Sequence, residues 1–187
     1  MKLGNQLSIY ALATVAALSS QVSANAGVLG AKIYVQNTGT VEATFIGQTA
    51  GYDNELFLDS PTASGRIFHN HLNSPGDTKS LGSFNAGDEL IFRLYVVNTG
   101  NTFFSGPADR NPDQMAHAMV TDEATHTVVG FEDLFGGGDM DYDDTLFSFT
   151  NVRRDPPTHK VPDASSTLPL LSMGMAGVAY LRRRFAK

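Results

Sequence analysis

Residues 130–151 read Gly-Phe-Glu-Asp-Leu-Phe-Gly-Gly-Gly-Asp-Met-Asp-Tyr-Asp-Asp-Thr-Leu-Phe-Ser-Phe-Thr-Asn. Both ends of this stretch are apolar and typical of strands, whereas its middle holds three successive glycines and many acids, with no Lys or Arg. The pattern predicts two strands joined by a loop of concentrated negative charge. The six acids of the loop are Glu132, Asp133, Asp139, Asp141, Asp143 and Asp144.

The charge of this loop indicates a cation. Near a protein surface, each pair of like charges at contact distance is unfavourable by about a few kcal/mol before screening. The chain has no Cys, and no His lies within the stretch, so the ligands that zinc and copper favour are absent from it. Calcium binds carboxylate and carbonyl oxygens, about six to eight of them per ion. We therefore expect a Ca²⁺ site formed by these six acids.

The order of the acids predicts how they would be presented. Along an extended segment, Asp139, Asp141 and Asp143 would lie on one side, and Met140 and Tyr142 would face the other. Glu132 and Asp133 would then complete the ligand shell from the end of the preceding strand.

The sequence allows two alternatives to such a loop. Asp-Met-Asp-Tyr-Asp matches the first ligand positions of an EF-hand, but the later glycine and glutamate positions hold Asp144 and Thr150. A calcium loop between strands fits better. The other alternative is an acidic surface loop kept open by its own repulsion and by counter-ions.

Residues 1–26 are typical of a secretory signal peptide. They contain Lys2, an apolar run over residues 9–18 and the small-x-small sequence Ala24-Asn25-Ala26, after which signal peptidase would cut. We expect an exported chain that begins at Gly27. Because the chain has no Cys, disulfides do not stabilise it.

The C-terminal part has the features of a sorting signal. After a linker over residues 153–160 come Val-Pro-Asp-Ala-Ser-Ser-Thr at residues 161–167, a mostly apolar run at 168–181 and a basic cluster at 182–187. The apolar run is shorter than the roughly 20 residues that a spanning helix prefers, and its basic end would stay at the cytoplasmic face. We expect a weak helical anchor for transient inner-membrane retention, with an ordinary membrane anchor as the alternative.

Residues 161–187 resemble the PEP-CTERM sorting signals of Gram-negative, exopolysaccharide-producing bacteria, in the Val-Pro-Asp-x-x-Ser-Thr variant. The resemblance implies recognition by a membrane enzyme, an exosortase. It also implies a location at the cell surface or in the extracellular matrix, where exopolysaccharide or other surface glycans are the expected partners.

The part of the chain between these ends predicts one β-domain over residues 27–152. Short β-branched or aromatic runs alternate with turn residues, and no stretch has a sustained helical period, which indicates an all-β, jelly-roll-like sandwich of about nine strands. Residues 89–97 form the longest apolar run and predict a strand at the centre of a sheet. The other predicted strands are 31–36, 41–47, 55–58, 66–69, 117–121, 127–131 and 145–151.

The charge of the domain limits its partners. Residues 27–160 contain eight basic and eighteen acidic residues, a formal net charge of −10. A domain this acidic repels the phosphates of nucleic acids, so we expect no nucleic-acid partner and expect cations instead.

Further candidate ligands lie outside the acidic stretch. Asn111 and Asp113 belong to a turn-rich loop that could approach the calcium site, because loops at one end of a sandwich cluster; a structural loop held by its prolines is the alternative. His69 and His71 would share one strand face. Without a third ligand, such a pair is more often a surface strand end than a metal site.

The central residues also resemble an uncharacterised bacterial surface domain that often precedes PEP-CTERM tails. The resemblance spans most of residues 31–152 and depends mainly on Phe-Glu-Asp at 131–133, the glycine-rich turn and Asp-Met-Asp-Tyr-Asp-Asp at 139–144. Asp143 stands where the family pattern has Asn, which adds charge and retains an oxygen ligand. The resemblance supports an exported, calcium-dependent domain and implies no established activity.

Three classes of function follow. The favoured one is a non-enzymatic surface or matrix protein in which calcium rigidifies one end of the sandwich. The alternative is a calcium-dependent carbohydrate-binding or adhesion module; the chain has no Trp, which leaves Tyr52, Phe135 and Tyr142 as aromatic candidates. A glycan hydrolase needs two carboxyl groups with separated pKa values in a cleft, and clustered acids without a partner base or a Gly-x-Ser-x-Gly motif do not fit that requirement.

Overall fold

The computed structural model describes residues 26–154. This part of the chain contains twelve strands, one short 3-10 helix and no α-helix, which confirms the predicted all-β class. The elements in chain order are β1 (Val28–Leu29), β2 (Tyr34–Val35), β3 (Gly39–Gly47), β4 (Asn54–Ser60), β5 (Phe68–His69), β6 (Thr78–Phe84), β7 (Ile91–Val96), β8 (Thr102–Phe104), the 3-10 helix (Ala108–Arg110), β9 (Ala118–Asp122), β10 (Thr127–Phe131), β11 (Thr145–Phe149) and β12 (Val152–Arg153).

The strands form two main sheets in a sandwich-like arrangement. The larger sheet has the order β1-β9-β10-β11-β3-β6, the smaller has the order β5-β4-β7-β8, and β12 pairs with β2 in a two-stranded ribbon. All of these pairings are antiparallel. Strands β10 and β11 are neighbours in both sequence and sheet, with Phe131 opposite Thr145 at their open end. Residues 132–144 therefore form a long loop at that end of the larger sheet.

Apolar side chains from both sheets meet in one core. Along β7, Phe92, Leu94 and Val96 are fully buried and alternate with partly exposed residues, as expected for a strand with one face toward the core. Phe92 stacks on Phe149 of β11 with ring centroids 4.2 Å apart, which joins the two sheets. Burial of a side chain of this size contributes about 1.5–3 kcal/mol.

The position of β7 agrees with the prediction for residues 89–97. The strand lies inside the smaller sheet, between β4 and β8. Its second face is less buried than the apolar sequence indicated: Ile91, Arg93 and Tyr95 are partly exposed, and the Arg93 guanidinium lies 4.2 Å from the centre of the Phe57 ring.

The number of strands exceeds the predicted nine because several are short or polar. Strands β1, β8 and β12 have two or three residues each, too few for a pattern of alternation to be visible. Strand β6 reads Thr-Lys-Ser-Leu-Gly-Ser-Phe and is exposed along most of its length at the edge of the larger sheet. Only Leu81 and Phe84 of this strand pack against the core, so its sequence has no regular apolar face.

Several predictions concern residues outside 26–154. The signal peptide, most of the linker and the C-terminal sorting helix lie outside the described residues. Within the described residues, no helix has the length and hydrophobicity needed to cross a membrane.

Candidate metal centre

The acidic loop, residues 132–144, follows β10 and precedes β11. Its turn depends on glycine: Gly136, Gly137 and Gly138 all have positive φ angles, of 85°, 83° and 46°. Side chains with a Cβ atom disfavour this conformation. Three consecutive glycines therefore allow the chain to reverse sharply before the second group of acids.

The second half of the loop is not extended, so the predicted alternation is wrong. Met140 and Tyr142 both adopt left-handed conformations, with φ angles of 62° and 57°. Each such residue turns the chain, and side chains separated by two positions no longer point the same way. Met140 is consequently 52% exposed, whereas Tyr142 is buried. The loop also differs from an EF-hand, as expected, because strands and not helices flank it on both sides.

Five of the six predicted acids come together in two groups. Glu132, Asp133 and Asp144 form the inner group, which is mostly buried, and Glu132, Asp139 and Asp141 form the outer group, which is mostly exposed. Within each group, one carboxylate oxygen per residue lies within 4.8 Å of the others. The two groups share Glu132.

Glu132 is the most unusual carboxylate of the centre. It is 1% exposed, and its Oε2 atom has no hydrogen-bond partner among the described residues. Its Oε1 atom lies against the α-carbon of Gly138, where any larger residue would collide with it. Burial, the nearby carboxylate of Asp144 and a side-chain hydrogen bond with it, and the carboxylates of Asp139 and Asp133 raise the pKa of Glu132 to about 8.

The inner group is connected to the smaller sheet. The backbone N–H of Asp133 donates to Asp144 Oδ2 at 2.8 Å, and Asn54 Nδ2 at the start of β4 donates to Asp133 Oδ2 at 2.6 Å. Burial raises the pKa of the Asp144 carboxyl, and the hydrogen bond from Asp133 partly opposes that effect. The inner carboxylates are therefore held between both sheets of the sandwich.

Asp143 belongs to neither group. The hydroxyl of Thr49, in the segment that follows β3, donates to Asp143 Oδ1 at 2.5 Å. The next residue along that segment, Ala50, donates its backbone N–H to the Asp144 carbonyl at 3.3 Å. The last acids of the loop are thus fixed to the neighbouring strand connection.

A buried histidine contacts the first residue of the loop through the main chain. His117 is fully buried; its Nδ1 atom lies 2.9 Å from the carbonyl oxygen of Glu132, and its Nε2 atom lies 2.8 Å from Asp113 Oδ2. Asp113 Oδ2 also accepts the backbone N–H of Gly136 at 2.9 Å. Although burial acts to raise it, the pKa of Asp113 is lowered by hydrogen bonds from Gly136, His117 and Met115.

The remaining candidate ligands separate into different roles. Asp113 reaches the loop, where its carboxylate accepts the backbone N–H of Gly136. Asn111 does not contact the acids; it accepts the N–H of Phe104 and donates to the carbonyl oxygen of Met115. His71 Nδ1 lies 2.8 Å from Asp53 Oδ1, but His69 Nε2 is 4.0 Å from the same oxygen. These two histidines belong to neither of the ligand groups found in residues 26–154.

Two protein-family models match the chain. A family model described as a domain of unknown function, DUF4114, matches residues 49–151, which include the acidic loop and its supporting residues. The chain belongs to this family. A second match, to the VPDSG-CTERM motif, covers residues 160–185 and confirms the PEP-CTERM-like sorting tail. No curated protein matches the chain.

The sorting motif indicates where the protein is located. A tail of this kind implies processing by an exosortase-type system and indicates an exported, surface-targeted protein.

Most of the buried side-chain oxygens without a partner in the described residues belong to the loop or to residues next to its contacts. Four buried side-chain atoms have no hydrogen-bond partner in residues 26–154, and all four are oxygens. Glu132 is the first residue of the loop, and Thr145 follows its last residue. Asn54 donates to Asp133, and Gln48 precedes Thr49, whose hydroxyl donates to Asp143. They are Glu132 Oε2, Thr145 Oγ1, Asn54 Oδ1 and Gln48 Oε1.

Sequence reasoning missed Asn54 and His117 as parts of the centre. Asn54 is 79 positions from Asp133 in the chain, and it appears in the sequence as an ordinary polar residue before a strand. His117 was assigned only to a predicted strand. One signal was present: both are polar residues that border apolar runs, where a buried position requires a specific partner.

Proposed function

We propose that the acidic loop of this DUF4114 domain binds calcium and that the protein is a non-enzymatic, calcium-stabilised component of the cell surface or extracellular matrix of a Gram-negative bacterium. The observation that carries the proposal is the set of buried oxygens without partners around the loop. Buried polar atoms in native proteins nearly always have a partner. Oxygens without donors, beside clustered carboxylates, are the surroundings that a hard cation requires.

The charge of the site supports the same function. None of the Lys or Arg ion pairs of the described residues involves an acid of the loop. A raised pKa at Glu132 means that the metal-free loop holds this carboxyl protonated near neutrality because a further negative charge is unfavourable there. A divalent cation would displace that proton and stabilise the ionised form.

The ligand chemistry favours calcium over other metals. The atoms around the loop that could ligate a metal are carboxylate and amide oxygens. Both ring nitrogens of His117 already face oxygen acceptors, so they are not available as ligands. Calcium accepts irregular oxygen shells at about 2.3–2.6 Å, whereas magnesium requires a tight octahedron and releases water reluctantly. The loop therefore suits calcium best.

The test is thermal unfolding with and without calcium. Binding to the folded state at one hundred times Kd contributes about 2.7 kcal/mol, which raises the melting temperature by several degrees. Magnesium at the same concentration should give a much smaller shift. The variant Glu132→Gln removes a proposed ligand charge at nearly constant size, and it should lose most of the increase in melting temperature that calcium gives. An unchanged wild-type melting curve at millimolar calcium would leave an acidic surface loop as the better description.

A calcium-dependent glycan-binding or adhesion module is the second candidate, and one observation favours it. Apolar side chains surround the acids at the surface: Phe135 is 59% exposed, Leu134 40% and Met140 52%. Phe135 can offer its ring to a sugar, whereas Tyr142 is 6% exposed and cannot. A glycan array with and without calcium, repeated with Phe135→Ala, tests this function. Binding that requires both calcium and Phe135 supports it.

The proposed partners follow from the sorting tail. Signal peptidase and an exosortase would act during export, with transient retention in the inner membrane through the apolar tail. Exopolysaccharide or other surface glycans would be the partners after export. Nucleic acid is not among the proposed partners, since the acidic domain repels phosphates.

A further inference from the structure

The five grouped carboxylates do not form one compact ligand set. Two oxygens that ligate the same calcium, each at about 2.3–2.6 Å, are separated by no more than about 5 Å. The atoms of each group lie within 4.8 Å of one another, but no such set in the described residues combines Asp133 and Asp144 with Asp139 and Asp141. In this arrangement, each group by itself is compact enough to hold one cation.

Glu132 is placed to serve both groups. It is the residue that they share, and its two oxygens have different surroundings. Oε1 lies against Gly138, immediately before Asp139, while the buried Oε2 has no hydrogen-bond partner. A carboxylate that belongs to both groups, and whose two oxygens can each accept a cation, is placed as a bridging ligand.

Charge also indicates more than one ion. The five grouped carboxylates carry five negative charges when they are all ionised. One calcium ion would leave three of these charges without compensation in a partly buried site, where like charges repel more strongly than in water. Two calcium ions would leave one.

We propose that the loop is a two-cation centre in which Glu132 bridges an inner calcium ion, held with Asp133 and Asp144, and an outer calcium ion, held with Asp139 and Asp141. This inference rests on the calcium-binding function proposed above. The inner ion lies among buried groups, beside the oxygen of Asn54 that lacks a partner, and serves to fix the loop to both sheets. The outer ion faces solvent.

The two ions should differ in affinity. Glu132 and Asp133 are buried and already positioned, so the inner ion loses little to reorganisation of its ligands. Asp139 and Asp141 are exposed and lie in a segment with left-handed turns. The outer ion keeps more water and should bind about ten-fold or more weakly than the inner ion.

Equilibrium dialysis of the full chain with calcium alone tests the proposal by counting bound ions. The wild-type protein should bind two. Asp144→Asn should bind one, and its hydrogen bond from the Asp133 N–H is retained by the Asn oxygen. Asp139→Asn combined with Asp141→Asn should also bind one, with the larger part of the thermal shift preserved. The matched control is Asp143→Asn, which removes a neighbouring charge from outside both groups and should still bind two.

The outcomes separate this inference from the proposed function. One ion bound to the wild-type protein overturns the two-cation centre and leaves calcium binding intact. No bound ion overturns both. Loss of an ion in Asp143→Asn overturns the assignment of ligands to the two groups. The wild-type count does not depend on any variant, so a variant that fails to fold leaves the test decisive.

Discussion

The Nδ1 atom of His117 lies 2.9 Å from the carbonyl oxygen of Glu132, so a fully buried ring holds the main chain of the residue that both carboxylate groups share. The same ring stacks on Phe103, with centroids 3.7 Å apart. A ligand held before the cation arrives loses less entropy on binding, which raises affinity. His117 is thus a positioning residue for the centre.

Replacement of His117 should weaken both the fold and the site. His117→Gln removes the stacked ring and leaves a buried acceptor without its donor, a loss of about 1–3 kcal/mol. We expect denaturant unfolding to show that decrease, and calorimetry to show a higher Kd for calcium. His126→Gln is the control, since the His126 ring contacts exposed Thr125 at 3.3 Å. Unchanged calcium affinity in His117→Gln would reduce the residue to a packing role.

Gly130 should not tolerate a side chain. A Cβ atom at this position in β10 would overlap the carbonyl oxygen of Tyr142. Gly130→Ala should therefore displace the acidic loop, with a decrease of about 1–3 kcal/mol in the free energy of unfolding and weaker calcium binding. At Gly51, a Cβ atom meets nothing within 4 Å, so Gly51→Ala should change stability by less than about 1 kcal/mol. Equal effects of the two substitutions, measured by urea unfolding, would contradict the close contact.

The raised pKa of Glu132 predicts an unusual pH dependence for the metal-free protein. Because the folded-state pKa is about 8 and the ordinary value is 4.5, the folded state binds more protons between these values. The stabilising contribution is complete below about pH 4.5 and is lost as the pH rises through about 8. Urea unfolding with a chelator should show this decline, and Glu132→Gln should lessen it. A metal-free wild type with the same pH profile as Glu132→Gln would show that Glu132 titrates normally.

The stabilisation that calcium gives should increase with pH, whereas the stability of the metal-free protein decreases. The cation competes with the proton on Glu132, so the stabilisation that calcium gives should grow between pH 5 and pH 8, the range below the raised pKa of about 8. The measurement is the difference between melting temperatures with calcium and with chelator at several pH values. A difference that is constant across this range would exclude proton displacement at Glu132.

The sorting tail predicts a processed C-terminus. The matched motif covers residues 160–185, and we expect residues 161–187 to be absent from the protein at the cell surface. Mass spectrometry of surface-associated material compared with the intracellular precursor measures this directly. A mature chain that still ends in Arg182 to Lys187 would contradict removal of the tail.

The sequence predicted those parts of the molecule that depend on local pattern. Strands β3, β4, β7, β9, β10 and β11 coincide with the runs of β-branched, aromatic or other apolar residues that predicted them, and the acidic loop is visible as a run of charges between two of them. Strand β6 was missed because it is exposed along most of its length, so no apolar face marks it.

The geometry within the loop could not be predicted in the same way. Left-handed conformations at Met140 and Tyr142 are unfavourable for these residue types and are imposed by the surrounding structure. The contacts of Asn54 and His117 join segments that are distant in the chain, so no local pattern records them. The acids of the candidate site are visible in the sequence, but their division into two groups required the fold.

The short strand β12 determines where the domain would receive a mechanical pull. The sorting motif begins at residue 160, soon after β12 ends at Arg153, so tension from surface attachment would reach this strand first. There, Arg153 donates to the carbonyl oxygens of Ala124 and His126 at 3.1 and 3.0 Å, and the Thr127 hydroxyl donates to a carbonyl of β12 at 2.7 Å. Backbone pairing joins β12 to β2, and these side-chain contacts join it to the start of β10. The acidic loop follows the other end of that strand, where a bound cation would act as a clamp against shear.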